Sequence, residues 1–186
     1  MGHYVLLFVG FFLAFPGYAA EYNQIQTDKS TLTFAYKQMG VPMDGKFGKF
    51  GIHINFDPAR IDAAQAQIEV DLASIDAGYS EANEEVGGKQ WFNSKMFPSA
   101  KFVATGVKAL GGNRYEATGK LTIKGKTLDT IAPFTFKQEG AAGTFDGGFI
   151  LNRLDYAIGE GAWADVSAVA NEIQIKFHVV ATPNRK

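Results

Sequence analysis

The chain has 186 residues, 18 Lys plus Arg against 19 Asp plus Glu, no cysteine, and 46% apolar residues that include 16 Phe. That size suits a single domain, and a formal charge of −1 offers no basic footprint for nucleic acid. Without cysteine there are no disulfides, thiolate nucleophiles or zinc–thiolate sites.

The first element is an uncharged apolar run from Tyr4 to Phe15, stopped by Pro16-Gly17 and followed by Tyr18, Ala19 and Ala20. It is shorter than the about 20 apolar residues of a spanning helix. Residues 1–19 are therefore expected to be a secretory signal peptide, cleaved after Ala19 or Ala20, with residues 20–186 as one domain. An exported chain of this length can bury a core without disulfide staples, so the expected compartment is the bacterial periplasm.

Alternation with period two then dominates. Leu32, Phe34 and Tyr36 share one phase, as do Ile52, Ile54 and Phe56, and then Ile68, Val70 and Leu72. Each run reads as a half-buried strand. Ser80 to Gln90 breaks the pattern; its polar residues, acids and Gly87-Gly88 predict a short interrupted helix with Ser80 as N-cap. Alternation returns in Tyr115, Ala117, Gly119, Leu121 and Ile123, in Phe134 and Phe136, and in Ile173, Ile175, Phe177 and Val179. Turn signals fall at Gly45, Asp57-Pro58, Gly111-Gly112-Asn113, Gly125, Gly140 and Gly147-Gly148. About eight antiparallel strands are expected, and eight strands with one apolar face stack as a sandwich or close as a barrel. An eight-stranded barrel holds either packed side chains or one small ligand.

Motifs for chemistry are sparse. Gly119 to Thr127 has five residues between its glycines where a phosphate loop has four, and no helix follows it. Gly159 and Gly161 form an isolated GxG outside a strand–helix unit. His53 and His178 lie on polar strand phases without metal-ligand spacing, and the Asp residues sit mostly beside turns, where they accept backbone hydrogen bonds. No catalytic residue, cofactor or metal is expected. The apolar strand faces are either a packed core or the wall of a lumen, since both read alike. Glycines on the inward phase, such as Gly119, favour a lumen by leaving volume unfilled.

Several segments together resemble the YceI-like family: Phe47, Phe50, Phe56-Asp57-Pro58, Ser74-Ile75-Asp76-x-Gly78, Trp91-Phe92, Phe97-Pro98-x-Ala100-x-Phe102, Gly119-x-Leu121-Thr122-Ile123-x-Gly125 and Arg153-x-Asp155-Tyr156-x-Ile158-Gly159. The resemblance runs from Tyr22 to Ala181. It implies an all-β, lipocalin-like antiparallel barrel, expected here with eight strands and a short helical segment, that holds a polyisoprenoid or similar lipid without catalysis. Carried over to motif positions, it places Phe47, Phe50, Phe92, Phe97, Phe102, Leu121 and Ile123 around the pocket. Alternation adds Phe34, Tyr36, Ile54, Ile68, Val70, Phe134, Phe136, Ile175 and Phe177 as inward candidates. Arg153 is expected either to pair with Asp155 and pin the following loop or to hold a phosphate or quinone head group. The chain departs from the family pattern at Ala77, Asn93, Ser80 to Gln90 and Lys126-Thr127-Leu128-Asp129, around the expected entrance. The expected ligand is an isoprenoid, quinone or other long-chain lipid. A noncatalytic envelope module with a packed core, contacting a membrane protein or pairing with itself through a strand edge, is the alternative, and an enzyme using His178 or His53 is a third reading.

Overall fold

A computed structural model describes residues 20–184. The expected signal peptide, residues 1–19, lies outside that range.

The described chain is one antiparallel sheet of eleven strands curled into a lipocalin-like barrel. In chain order these are β1 (Tyr22–Ile25), β2 (Thr31–Gln38), β3 (Val41–Phe47), β4 (Phe50–Asn55), β5 (Gln65–Asp71), β6 (Ile75–Asp76), α1 (Ser80–Val86), β7 (Ser99–Gly111), β8 (Arg114–Ile123), β9 (Lys126–Glu139), β10 (Ala142–Asn152) and β11 (Glu172–Pro183). Their spatial order is β4-β5-β7-β8-β9-β10-β11-β2-β3-β6, with β1 on β11. The excess over eight comes largely from β1 and β6, which are too short to show a full alternation, and from β3 and β10, whose patterns are broken by Pro or Gly.

The barrel closes because β3 runs through Gly48-Lys49 directly into β4: the first half of this bent strand bonds β2, the second half β5. At the far end of β4, Tyr22 N donates to Phe56 O at 2.8 Å and Phe56 N donates to Tyr22 O at 3.2 Å, tying β4 to β1. Asp57 follows immediately and is buried; its carboxylate accepts from Ala59 N at 2.9 Å and Arg60 Nε at 2.7 Å. The Arg60 hydrogen bond holds the Asp57 carboxyl below the usual aspartate range. The folded state therefore keeps Asp57 ionised where the unfolded chain begins to bind a proton, so this turn's contribution is present above the ordinary aspartate pKa and is lost as pH falls below it. Urea unfolding should show Asp57→Asn losing about 1 kcal/mol at neutral pH and a shallower stability loss than wild type from about pH 4.5 to 3.

The turns expected at Gly111-Gly112-Asn113, Gly125 and Gly140 are present, with positive φ at each of these residues. Gly45 and Gly147-Gly148 are not turns but mid-strand residues of β3 and β10. A Cβ at Gly45 would collide with the Phe34 ring, and one at Gly148 with Ile175 O, so absence of a side chain lets neighbouring strands approach. Gly119 in β8 has the same role: a Cβ there would stand 2.5 Å from both Phe102 Cζ and Val103 O. Gly119→Ala should cost about 1–3 kcal/mol in thermal unfolding. Gly106→Ala, opposite the same ladder with nothing within 4 Å, serves as the control.

The helix is shorter than expected. Ser80 is its first residue rather than its cap; Tyr79 occupies the cap position and makes no side-chain cap bond. Gly87 ends it.

Two apolar clusters result. One closes an end of the barrel with Tyr22, Phe56, Tyr115, Phe136, Phe145, Val179 and Ala181. The other, built on Leu72, Trp91, Phe102, Leu121, Leu151, Ile158 and Val169, surrounds a space instead of filling it. The β9–β10 ladder stops at Gly147↔Phe134, and past that pair each strand continues only on its other neighbour. The seam so opened is lined by Leu128, Ile131, Ile150 and Tyr156 among others.

Candidate functional site

The barrel encloses a cavity of about 420 Å³ with an almost wholly apolar lining. Its wall follows from strand alternation: Phe34 and Tyr36 come from β2, Phe47 from β3, Ile54 from β4, Ile68 and Val70 from β5, Phe102 from β7, Leu121 and Ile123 from β8, Phe134 from β9, and Ile175 and Phe177 from β11. Phe92, on the segment after α1, and Arg153 also border it. Ile175 and Phe34 are ladder partners and Leu121 pairs with Phe102, so neighbouring strands present their apolar side chains side by side.

Three of the expected wall residues lie elsewhere. Phe136 has the inward phase, but it stands where the barrel is closed; Tyr22, Phe56 and Phe145 surround its ring at 4.9–5.0 Å between centroids. Phe50 packs against the same closed-end cluster. Phe97 lies against Gly125 at the β8–β9 turn, where a Cβ would stand 3.2 Å from its Cε1.

The structure also brings in residues that alternation did not single out. Trp91 and Trp163 meet at 5.4 Å between centroids and both line the cavity. Phe149 and Leu151 of β10 join them, concealed in sequence by a Gly147-Gly148 pair that reads as a turn. Trp91 sits within a recognisable motif, so its place was legible; Trp163 is a lone loop aromatic whose role depends on the chain's return path. From α1, Glu81, Ala82, Glu85 and Val86 border one end of the cavity, beside Gln38 and Tyr79.

Arg153 corrects the sequence expectation most sharply. It is 1% exposed and makes no ion pair with Asp155. Its Nε donates to Ala170 O at 3.1 Å, Nη1 to Ile158 O at 2.9 Å and Gly159 O at 3.2 Å, and Nη2 to Trp163 O and Val169 O at 2.7 Å each. These contacts engage all five N–H donors of a guanidinium, so none remains for a head group. The guanidinium also lies over the Trp91 ring at 5.4 Å. Burial pulls its pKa below the ordinary arginine value. Gly159, at φ +82°, is required here because a Cβ would collide with Arg153 Nη1. The same loop is held from the β8–β9 turn by Lys124, whose Nζ reaches Ala157 O at 2.7 Å and Glu160 Oε2 at 2.8 Å.

His53 and His178 lie apart from this lining. His178 Nδ1 meets Asp146 Oδ1 at 2.6 Å on the half-exposed outer face of β10 and β11, and His53 is exposed on β4. Among the described residues, no three His, Asp or Glu side chains converge as a metal site would require.

The YceI-like domain profile matches residues 23–181. The solved structure of Burkholderia cenocepacia BcnA is similar at TM-score 0.83 and 45% identity, covering 86% of this chain and all of that one. A structure from Saccharophagus degradans, described as a polyisoprenoid binding domain implicated in plant cell wall breakdown, aligns at TM-score 0.62 over 89% of this chain and 99% of its own; at 13% identity the likeness is one of fold. A UPF0312 protein of Azotobacter vinelandii is 28% identical over 73% of this chain and 71% of its own length. One from Pseudomonas savastanoi is 31% identical over 61% of this chain, a match that spans 62% of that relative.

Proposed function

The chain belongs to the YceI-like family, and on that premise we propose that it is a noncatalytic periplasmic carrier or store for a long-chain isoprenoid lipid, such as a quinone or polyprenyl derivative. The observation that carries this reading is the cavity: Phe-rich strand faces surround apolar space that a packed core would fill. A lipid tail entering it leaves water at about 0.8 kcal/mol per CH₂, a driving force that needs no catalytic group. The description of the Saccharophagus neighbour as a polyisoprenoid binding domain supports the same ligand class.

Native mass spectrometry of protein purified from the periplasm without detergent, followed by organic extraction, tests the proposal. A stoichiometric isoprenoid is the expected result, together with a mature N-terminus at Ala20 or Glu21. An empty, correctly folded protein would overturn the carrier reading and favour an envelope interaction module.

A further inference from the structure

We propose that the helical end of the barrel docks on a lipid bilayer through Met39 and Val41 at the β2–β3 hairpin tip and Val166 in the β10–β11 loop, so that cargo passes between membrane and cavity without crossing water. This rests on the lipid-carrier reading above and adds the surface by which the carrier meets its source.

Met39 is 76% exposed, Val41 57% and Val166 54%. Their segments form one hydrogen-bonded unit: Val41 is the ladder partner of Gln38, Gln38 bridges to Val169, and Met39 N donates to Ala168 O at 2.9 Å. Val166 is presented by a tight turn in which the Asp165 carboxylate accepts from Ser167 N at 2.8 Å and Ser167 Oγ at 2.7 Å. The unit stands at the cavity's edge, since Gln38, Tyr79 and Val169 border the space and Tyr79 OH donates to Gln38 Oε1 at 2.9 Å. Tyr79, Glu81 and Glu85 border the cavity and are exposed, which places an opening of the cavity here.

Folding does not account for the methionine. Met39 and Gly40 have φ of +48° and +78°, as in the two-residue hairpin turn that favours Asn-Gly. Among the described residues with the same left-handed backbone, Asn93 and Asn113 are of the favoured type, Ala157 is small, and the Lys124 side chain bonds Ala157 O and Glu160. Met39 instead sets a long apolar side chain in water.

The partner that suits these side chains is the one that holds the cargo. The apolar burial that drives a lipid tail into the cavity equally opposes its escape from a bilayer into water, so loading is fastest in contact with the membrane. Neighbouring charges are mixed, with Lys37 beside Gln38, Asp165 beside Val166 and Glu81 beyond Tyr79, and form no basic cluster for anionic head groups. Attachment is therefore apolar.

The test follows uptake from phosphatidylcholine vesicles loaded with ubiquinone and undecaprenol, with protein separated by flotation at intervals and its lipid quantified after extraction. The initial rate should rise in proportion to vesicle concentration at fixed cargo content. None of the three residues borders the cavity, so Met39→Asn/Val41→Thr/Val166→Ser should slow uptake at least about tenfold and reach the wild-type plateau. Met39→Asn alone should leave the thermal unfolding midpoint unchanged or raised, which a merely structural methionine would not do. Replacing part of the phosphatidylcholine with phosphatidylglycerol, or raising the salt, should change the rate by less than about twofold. An undiminished rate in the triple variant, or uptake only from anionic vesicles, would overturn the docking surface while leaving the lipid cavity standing. Uptake of neither lipid by wild type would overturn both.

Discussion

Arg153→Met should lower the free energy of unfolding by about 3–5 kcal/mol, a large share of what a domain of this size possesses. Methionine keeps much of the apolar stem but leaves the carbonyls of Ile158, Gly159, Trp163, Val169 and Ala170 without the donor that organises them. Each buried acceptor left unpaired costs about 1–3 kcal/mol, and relief from burying a charge returns only part of the sum. Those carbonyls belong to the loop between β10 and β11, which also carries Trp163 and Ile158 to the cavity. Arg153→Lys should fall between the two, since an ammonium brings three donors without the planar fork. Urea unfolding of the three proteins measures the series. A methionine variant within about 1 kcal/mol of wild type would show that the carbonyls find other partners, and if that variant fails to fold, the lysine variant still reads the loss.

Ile175→Glu should lower lipid affinity by at least about 100-fold, corresponding to about 3 kcal/mol for setting a carboxylate against an apolar tail. Ile175 lies beside Phe34 on the wall, half-buried, so the new charge has some access to water when the cavity is empty and the barrel should still form. Lys176→Glu, one residue along and on the opposite phase, should retain lipid as wild type does. Lipid-to-protein stoichiometry after identical purification, with circular dichroism to establish folding, distinguishes them. Equal retention by both variants would show that this wall does not contact the ligand.

The strands were legible wherever one face is buried and the other wet, because a pleated strand turns that contrast into alternation. This holds for β2, β4, β5, β8 and β11. It failed for β10, where Gly147 and Gly148 read as a turn although they are the price of close strand packing against Phe177 and Ile175. The wall residues of the cavity were largely legible for the same reason, and Phe136 was not: it shares its phase with Phe134, two residues earlier, yet one borders the cavity and the other fills the closed end.

By itself, the sequence determined the all-β antiparallel class, the inward phase of the principal strands and the absence of cysteine chemistry, all of which depend on residue type and local spacing. Tertiary structure alone decided that the inward side chains bound a cavity, that α1 borders one end of it, and that Arg153 answers to carbonyls instead of Asp155. The physical reason is that alternation records which side of a strand avoids water but not what stands opposite, and every residue carries a backbone carbonyl, so Arg153's partners had no signature until the chain folded back upon them.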